Sequence, residues 1–167
     1  MESIVRAEID DLEQCVDIFF ESELGQKYYP RRELLKSELK KSFAKDKIYV
    51  KKYLEDGEGS GAEVVGVVWY QLEGMFHAFP YLHMIAVKKG HRDKGIGTEL
   101  IDFFEQDVLV NGRNHLRAKV FLTVADFNEA AEALYLRRGY SKFGEVENLF
   151  RKGVTEKLMM KIVTADK

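Results

Sequence analysis

A basic, glycine-containing turn is the segment of the sequence best suited to chemistry. It reads AVKKGHRDKGIGTELI over residues 86–101, where an apolar strand pattern ends and a helical pattern begins. A helix N-terminus has unpaired backbone N–H groups and a partial positive charge, and the missing side chains at Gly95 and Gly97 would let an anion approach them. Arg92 and Lys94 add full positive charges. The pattern therefore favours an anion site, such as one for a diphosphate, over a plain connecting turn.

Two common phosphate-binding motifs do not fit this turn. A nucleoside-triphosphate loop requires G-x-x-x-x-G-K-[ST], and Gly90 and Gly95 have that separation. Ile96 and Gly97, however, stand where Lys and Ser or Thr are needed. A dinucleotide-binding turn requires G-x-G-x-x-G, and Leu100 occupies its third glycine position. The sequence therefore argues against both kinds of nucleotide site.

A third motif, R-x-x-G-x-G, fits through Arg92, Gly95 and Gly97, and a second motif follows in the segment NEAAEALYLRRGY at residues 128–140. Together they resemble the GNAT N-acetyltransferases, whose glycine turn wraps the pyrophosphate of acetyl-coenzyme A and whose second motif reads N-x-x-A-x-x-x-Y-x-x-x-G-[F/Y]. The residues that match the second motif are Asn128, Ala131, Tyr135, Gly139 and Tyr140. The resemblance extends over most of the chain and is strongest between residues 81 and 140.

The resemblance implies how acetyl-coenzyme A would be bound as a co-substrate. In GNAT proteins the pantetheine arm lies along the strand before the turn, and backbone amides of the turn bind the diphosphate. An asparagine at the start of the second motif also contacts the coenzyme. The implied coenzyme-binding residues are Ile85, Ala86, Val87, Arg92, Asp93, Lys94, Gly95, Ile96, Gly97, Thr98 and Asn128. No metal is implied.

Two residues are implied to move protons. The family tyrosine at the position of Tyr135 reaches the coenzyme sulfur and acts as a general acid. The strand YLHMIAV resembles the LHxLAV strand of the arylalkylamine N-acetyltransferases, in which a histidine takes part in proton removal, and this implies a base or proton relay at His83. Such a group is needed because an alkylamine has a pKa near ~10 and is protonated at neutral pH. Ordered water, His77 or Glu73 are the alternatives for the base.

The sequence says least about the acceptor amine. In GNAT proteins two N-terminal helices and the loop before the central strand shape the acceptor site, and these correspond here to residues 10–44 and 71–80. Aromatic side chains beside carboxylates could bind a cationic amine. The candidate substrate-contacting residues are Tyr28, Tyr29, Glu73, His77 and Tyr81. We expect a small-molecule amine, with polyamine, aminoglycoside, amino-acid and arylalkylamine acceptors open and a protein N-terminus or lysine as the alternative.

The elements that must position these residues follow from hydrophobic periodicity. Strands are predicted at residues 3–7, 47–56, 62–74, 81–87, 116–124, 140–146 and 155–163, and helices at 10–23, 31–45, 96–110 and 126–139. The segment DGEGSG at 56–61 is predicted to be a hairpin tip. The order predicts an α+β fold (mixed α/β). It would be a single GNAT-like domain over residues 1–167, with a mixed central sheet of about six to seven strands and helices on both faces.

Composition and charge exclude several classes of protein. The 167 residues carry 26 Lys and Arg against 28 Asp and Glu, a net charge of −2, which argues against a nucleic-acid partner. The single cysteine, Cys15, excludes an intrachain disulfide and a cysteine-rich zinc site, and its helical setting predicts a buried apolar role. Apolar runs are shorter than the ~18 residues of a membrane span, and the acidic N-terminus is unlike a signal peptide.

From these exclusions we expect a cytoplasmic protein with no membrane partner. A homodimer is possible, because many proteins of the resembled family pair as dimers. The alternative from another functional class is a non-catalytic module that binds coenzyme A or a nucleotide and regulates something else.

Overall fold

The computed structural model describes residues 3–53 and 62–165, and within them the chain forms seven strands, five α-helices and one 3-10 helix (Ile9–Asp11). The elements are β1 (Ser3–Arg6), α1 (Leu12–Phe20), α2 (Glu23–Tyr28), α3 (Arg32–Phe43), β2 (Lys47–Tyr53), β3 (Glu63–Met75), β4 (Phe79–Val87), α4 (Ile96–Asn111), β5 (Arg117–Ala125), α5 (Glu129–Arg137), β6 (Ser141–Glu147) and β7 (Thr155–Thr164). The predicted hairpin tip at 56–61 lies outside the described residues. Within that described part, none of the helices has the length and apolarity needed to cross a bilayer.

The strands form one mixed sheet in the order β1-β2-β3-β4-β5-β7-β6. β4 runs parallel to β5, with Tyr81 opposite Phe121 and Leu82 opposite Leu122. β7 is antiparallel to both of its neighbours, β5 and β6. A parallel pair needs a long crossover, and α4 supplies it between β4 and β5. The prediction of an α+β fold with a mixed sheet of six to seven strands is therefore confirmed.

The chain divides into two compact units. The first unit contains Met1–Trp69 and Met84–Phe103, and the second contains Tyr70–His83 and Phe104–Lys167. β3, β4 and α4 each contribute residues to both units.

Helices α1 and α3 supply much of the core of the first unit. Their apolar residues at helical spacing are buried with alternate residues of the strands. Prominent members of this core are Cys15, Phe19, Leu35, Leu39, Ile48, Trp69 and Met84. Burial raises the pKa of the Cys15 thiol to about 12, so this thiol is unreactive at neutral pH and the predicted apolar role of Cys15 is confirmed.

A short helix, α2, is absent from the sequence prediction, which has only two helices before β2. The Ser22 hydroxyl caps α2 by accepting the Gly25 N–H at 3.0 Å. Gly25 is buried beside the end of α1, where an added Cβ would lie 1.9 Å from the backbone oxygen of Phe19. The prediction is wrong here because six residues are too few to show a helical period, and only the serine cap marks this helix.

Buried polar pairs hold the second unit together. The Tyr70 hydroxyl donates to Asp107 of α4 at 2.7 Å. Lys161 of β7 forms an ion pair with Glu105 of α4 at 2.7 Å, and Glu105 is buried. Charged groups inside a protein are costly unless they are paired, so these contacts fix how α4 packs on the sheet in this unit.

The close approach at Gly25 provides a test of the α1–α2 junction. We expect Gly25→Ala to lower the free energy of unfolding by about 2–3 kcal/mol, because the new methyl group would overlap the Phe19 carbonyl and force the helices apart. The control is Gly144→Ala, whose Cβ would lie 3.5 Å from Leu158 in ordinary contact and should change stability by no more than about 0.5 kcal/mol. Urea denaturation measures both, and equal losses would contradict this packing.

Candidate active site

The turn between β4 and α4, in the first unit, has a backbone suited to anion binding. Gly90, Asp93 and Gly95 have left-handed φ values of 92°, 61° and 85°. Left-handed residues among ordinary ones turn successive N–H groups toward one side and make an amide-lined hollow. A methyl group added at Gly95 would meet only open space among the described residues, and α4 begins directly afterwards at Ile96. The turn therefore presents the N-terminus of a long helix, a position at which anions bind.

The charged side chains around this turn divide into two groups. Glu63 of β3 forms an ion pair with Lys88 at 2.5 Å and lies 3.7 Å from Nε2 of His91. The exposed cations of the turn are Lys89, Arg92 and Lys94. Because Glu63 pairs with Lys88, the exposed positive charge of the turn comes from Lys89, Arg92 and Lys94.

The backbone direction in β4 determines which peptide groups a ligand could reach. The Lys88 N–H donates to a carbonyl of β3 at 2.9 Å. Peptide groups alternate between the two edges of a strand, so those of Ala86 also point toward β3 and those of Ile85 and Val87 point away from it. Nε of Arg92 donates to the Val87 carbonyl at 3.1 Å and so ties the turn to that edge. Of the predicted pantetheine-binding strand, Ile85 and Val87 have the backbone direction that the role requires.

In the second unit, Tyr81 and His83 lie together on one face of β4. Their rings meet edge to face, with centroids 4.7 Å apart. Leu82, between them, is buried, as strand alternation predicts. The Tyr81 hydroxyl lies 3.0 Å from Oγ1 of Thr123, and burial raises the pKa of Tyr81. The structure thus brings together two of the residues singled out from the sequence and adds Thr123 to them.

Tyr135 is a buried, protonated phenol in the same unit. Its side chain belongs to α5, and the residue is 6% exposed. Burial, with a smaller contribution from the neighbouring Tyr81, raises the pKa of Tyr135 well above its usual value. The Tyr135 hydroxyl is therefore protonated at neutral pH and cannot act there as a base.

A chain of contacts fixes the position of the Tyr135 ring. Tyr140 meets it edge on, with centroids 5.6 Å apart, and the Tyr140 N–H donates to the Tyr135 carbonyl at 3.0 Å. Nζ of Lys161 lies 5.6 Å from the centre of the Tyr140 ring. Glu105 holds Lys161 in turn. Tyr140, the aromatic residue that ends the NEAAEALYLRRGY segment, therefore helps to position the Tyr135 ring.

The backbone of Asn128 begins α5. Its N–H donates to the Ala125 carbonyl at 2.9 Å, and its own carbonyl accepts the Glu132 N–H at 3.1 Å. Asp126 accepts the Thr155 N–H at 3.1 Å and so connects this loop to β7. The side chain of Asn128 is half-buried, at the carboxyl end of β5.

The predicted acceptor residues are divided between the two units. Tyr28 and Tyr29 end α2 in the first unit and are half-buried. Glu73 is exposed in the second unit, where Arg113 at 2.6 Å lowers its pKa and makes it a weaker base. His77 is exposed in the β3–β4 turn with a left-handed φ of 55°. Over residues 3–53 and 62–165, no group of three or more His, Cys, Asp and Glu side chains is placed to bind a metal ion.

A buried carboxyl group that the sequence predictions omit, Glu156, lies on β7. It is 2% exposed, and burial raises the pKa of Glu156 to about 7. It stands opposite Ala125, the last residue of β5, and opposite Val146 of β6. The signal that could have found it is its place in TEKLMMKIV, where it shares alternate positions with Leu158 and Met160 and so puts an acid on an apolar strand face.

Solved structures of several acetyltransferases have the same fold. An acetyltransferase of the GNAT family from Bacillus cereus has a TM-score of 0.71 at 20% identity, covering 100% of this chain and 99% of that one. The ribosomal-protein-S18-alanine N-acetyltransferase of Escherichia coli has a TM-score of 0.70 at 18% identity, covering 100% and 97%. Mutant forms of the spermidine/spermine N-acetyltransferase SpeG of Vibrio cholerae have a TM-score of 0.68 at 20% identity, covering 97% and 95%.

The sequence itself gives the family. No curated protein sequence matches the chain significantly. The model of the acetyltransferase (GNAT) family, however, matches residues 10–140, which include both the glycine turn and the NEAAEALYLRRGY segment. This match over most of the chain shows that the protein belongs to the GNAT acetyltransferase family.

Proposed function

We propose that this protein is a cytoplasmic enzyme that transfers the acetyl group of acetyl-coenzyme A to the primary amine of a small molecule. The observation that carries the proposal is the turn from β4 to α4, whose left-handed residues and exposed cations suit the diphosphate of the coenzyme. Membership of the family indicates an acetyltransferase. The use of acetyl-coenzyme A and the class of acceptor amine are what we propose beyond that.

In this proposal the first unit binds the coenzyme. The backbone N–H groups of residues 92–98 bind the diphosphate, and Arg92 and Lys94 add charge-assisted hydrogen bonds. The peptide groups of Ile85 and Val87 pair with the amides of pantetheine, which lies beside β4 as an added strand would. The family resemblance implies a further polar contact to the coenzyme from Asn128.

The family resemblance assigns the movement of protons to Tyr135 and His83. The amine must be neutral to attack the thioester carbonyl. As the new C–N bond forms and the C–S bond breaks, the departing thiolate takes the proton of the Tyr135 hydroxyl. Removal of the amine proton is assigned to the face of β4 that carries Tyr81 and His83, where His83 acts as the base or as a relay.

Two acceptor classes fit a protein of this fold. One similar structure is named a spermidine/spermine N-acetyltransferase and another a ribosomal-protein-S18-alanine N-acetyltransferase. We propose a small amine here, because tyrosine rings such as those of Tyr28 and Tyr29 can bind a cation and a chain with a net charge of −2 shows no strong charge bias for docking a macromolecule. A protein N-terminus or lysine is the second candidate.

Release of coenzyme A thiol tests the function directly. With acetyl-coenzyme A and a panel of spermidine, phenethylamine and an alanine-initiated peptide, we expect amine-dependent thiol release and a rise in melting temperature on adding coenzyme A. Stabilisation by coenzyme A without release for any amine would favour the non-catalytic binding module. Stabilisation by NAD but not by coenzyme A would contradict the assignment of the turn.

Blocking the turn should abolish coenzyme binding. We expect Gly97→Trp to raise the Kd for coenzyme A by about 100-fold or more, because the indole would displace the diphosphate from at least two charge-assisted hydrogen bonds. The control is Glu33→Trp, which puts the same side chain at the second residue of α3, on an exposed site. Calorimetric titration measures both variants, and unchanged binding by Gly97→Trp would contradict the proposed diphosphate site.

Removing one hydroxyl should separate chemistry from binding. We expect Tyr135→Phe to lower kcat by about 10²–10³, the contribution of a general acid, while KM for acetyl-coenzyme A changes by less than about threefold. Tyr49→Phe removes a hydroxyl from β2 and serves as the control with unchanged turnover. Steady-state kinetics at pH 7 provide the comparison, and a Tyr135→Phe variant with full kcat would show that another group protonates the thiolate.

A further inference from the structure

In the second unit, β4 and β5 are joined by a side-chain hydrogen bond as well as by their backbones. The backbone pairing joins Tyr81 to Phe121 and Leu82 to Leu122, and among the described residues it ends there. The Tyr81 hydroxyl lies 3.0 Å from Oγ1 of Thr123, the next residue of β5. This hydrogen bond therefore fastens β4 to β5 at the point where the backbone ladder stops.

Thr123 is held firmly by the strand on its other side. All nine residues of β5 pair with β7, and Thr123 lies opposite Leu158 in that ladder. The residues before and after it, Leu122 and Val124, are buried. Since its backbone is paired and its neighbours are packed, Thr123 can serve as a fixed anchor for a side chain of β4.

The hydroxyl of Thr123 interrupts an apolar run. The segment VFLTVA, residues 120–125, has no other polar side chain, and Thr123 is half-buried within it. A valine would have nearly the same shape there and would avoid the cost of burying a hydroxyl. The Tyr81 phenol offsets that cost by sharing a hydrogen bond with Thr123. The hydroxyl therefore serves the contact with Tyr81 and not the packing of the core.

The anchored ring of Tyr81 packs against His83. Both side chains lie on one face of β4, and their rings meet at 87°, edge to face, with centroids 4.7 Å apart. The last torsion of a histidine side chain has broad preferences, so its ring can adopt many orientations. An edge-to-face contact with a neighbouring ring favours some of these orientations over others. The orientation of His83 thus depends on where the Tyr81 ring is held.

Tyr81 is also near the other residue proposed to move a proton. Burial raises the pKa of Tyr135, and the nearby Tyr81 phenol adds to this effect. The anchored phenol is therefore close both to Tyr135 and to His83. A ring in that place is suited to hold its neighbours in position.

We propose that Thr123 is a positioning residue for acetyl transfer. It holds the Tyr81 hydroxyl, and the anchored Tyr81 ring orients His83 toward the acceptor amine. The inference rests on the proposed function, in which His83 removes the amine proton as a base or relay. Such a group must lie within hydrogen-bonding distance of the proton that it takes, so a small turn of the His83 ring lowers the rate without weakening coenzyme binding.

The first test removes the Thr123 hydroxyl with little change of shape. For Thr123→Val, with acetyl-coenzyme A and the amine of the panel that reacts fastest, we expect kcat to fall about tenfold while KM for acetyl-coenzyme A changes by less than about twofold. Thr123→Ser keeps the hydroxyl and should keep most of the wild-type rate. Thr164→Val makes the same substitution at an exposed position of β7 and is the control with unchanged kcat. Melting temperatures establish that each variant is folded.

Double variants test the route through Tyr81 and His83, because residues that act through one contact have non-additive effects. Tyr81→Phe should lower kcat about as much as Thr123→Val, and combining the two should lower it no further. In a His83→Gln background, already slow, Thr123→Val should change kcat by less than about twofold. Equal losses in the wild-type and His83→Gln backgrounds would show that Thr123 acts independently of His83 and would overturn the inference.

Proton NMR of the His83 ring tests the positioning without turnover. The aromatic ring of Tyr81 shifts the resonances of the protons that lie against it. The His83 ring signals, identified by their loss in His83→Gln, should therefore move in Thr123→Val and return toward their wild-type positions in Thr123→Ser. Signals that stay in place in Thr123→Val would overturn the inference whatever the activity of that variant.

The outcomes separate this inference from the function on which it rests. No thiol release from any amine would overturn the proposed function and the role of Thr123 with it. Thiol release that continues at the wild-type rate in Thr123→Val would overturn the role of Thr123 alone. A loss that Thr123→Ser fails to restore would have its cause in packing and not in the hydroxyl, and it would also overturn this role.

Discussion

Strand alternation in β4 is the constraint on which the candidate site depends. Leu82, Met84 and Ala86 are buried, and the positions between them are only half-buried. One strand therefore supplies core packing with every second residue and can present Tyr81, His83 and a row of peptide groups to a ligand with the rest. The alternation of side chains along YLHMIAV thus accounts both for its apolar character and for its proposed role in ligand binding.

Burial affects the protonation of ionisable side chains in this protein. Burial raises the side-chain pKa at two positions of the second unit, with different consequences. It raises the pKa of Tyr135, whose hydroxyl is protonated at neutral pH, and it raises the pKa of Glu156 to about 7. Both pKa values thus follow from where the strands and α5 place these side chains relative to water.

The sequence predicts most of the fold because its longer elements have clear periods. The 16 residues of α4 and the strict alternation in β4 identify these elements as a helix and a strand. Helix α2 escapes prediction because it is too short to show a period. The glycine turn is recognisable because left-handed backbone at Gly90 and Gly95 demands residues without a side chain.

The ion pairs and protonation states of side chains depend on contacts between residues that are far apart in the sequence, so local sequence patterns do not predict them. The sequence alone does not indicate that Glu63 holds Lys88 or that Arg113 weakens Glu73 as a base. The burial of Glu156 is of the same kind. It follows from the neighbours that the strands on either side of β7 provide.

The register of β7 determines which face of the sheet carries Glu156 and which face carries Lys157 and Lys161. Shifting a strand by one residue would move every side chain to the other face. Glu156 would then join the face of Glu105 and Glu132, where like charges repel, and Lys157 would enter the apolar face without the acid that now balances it. Packing alone would allow such a slip more readily, because Leu158 and Met159 are both apolar. The lysine–glutamate pairs with α4 and α5 therefore fix the register and, through it, hold the carboxyl group of Glu156 beside the end of β5.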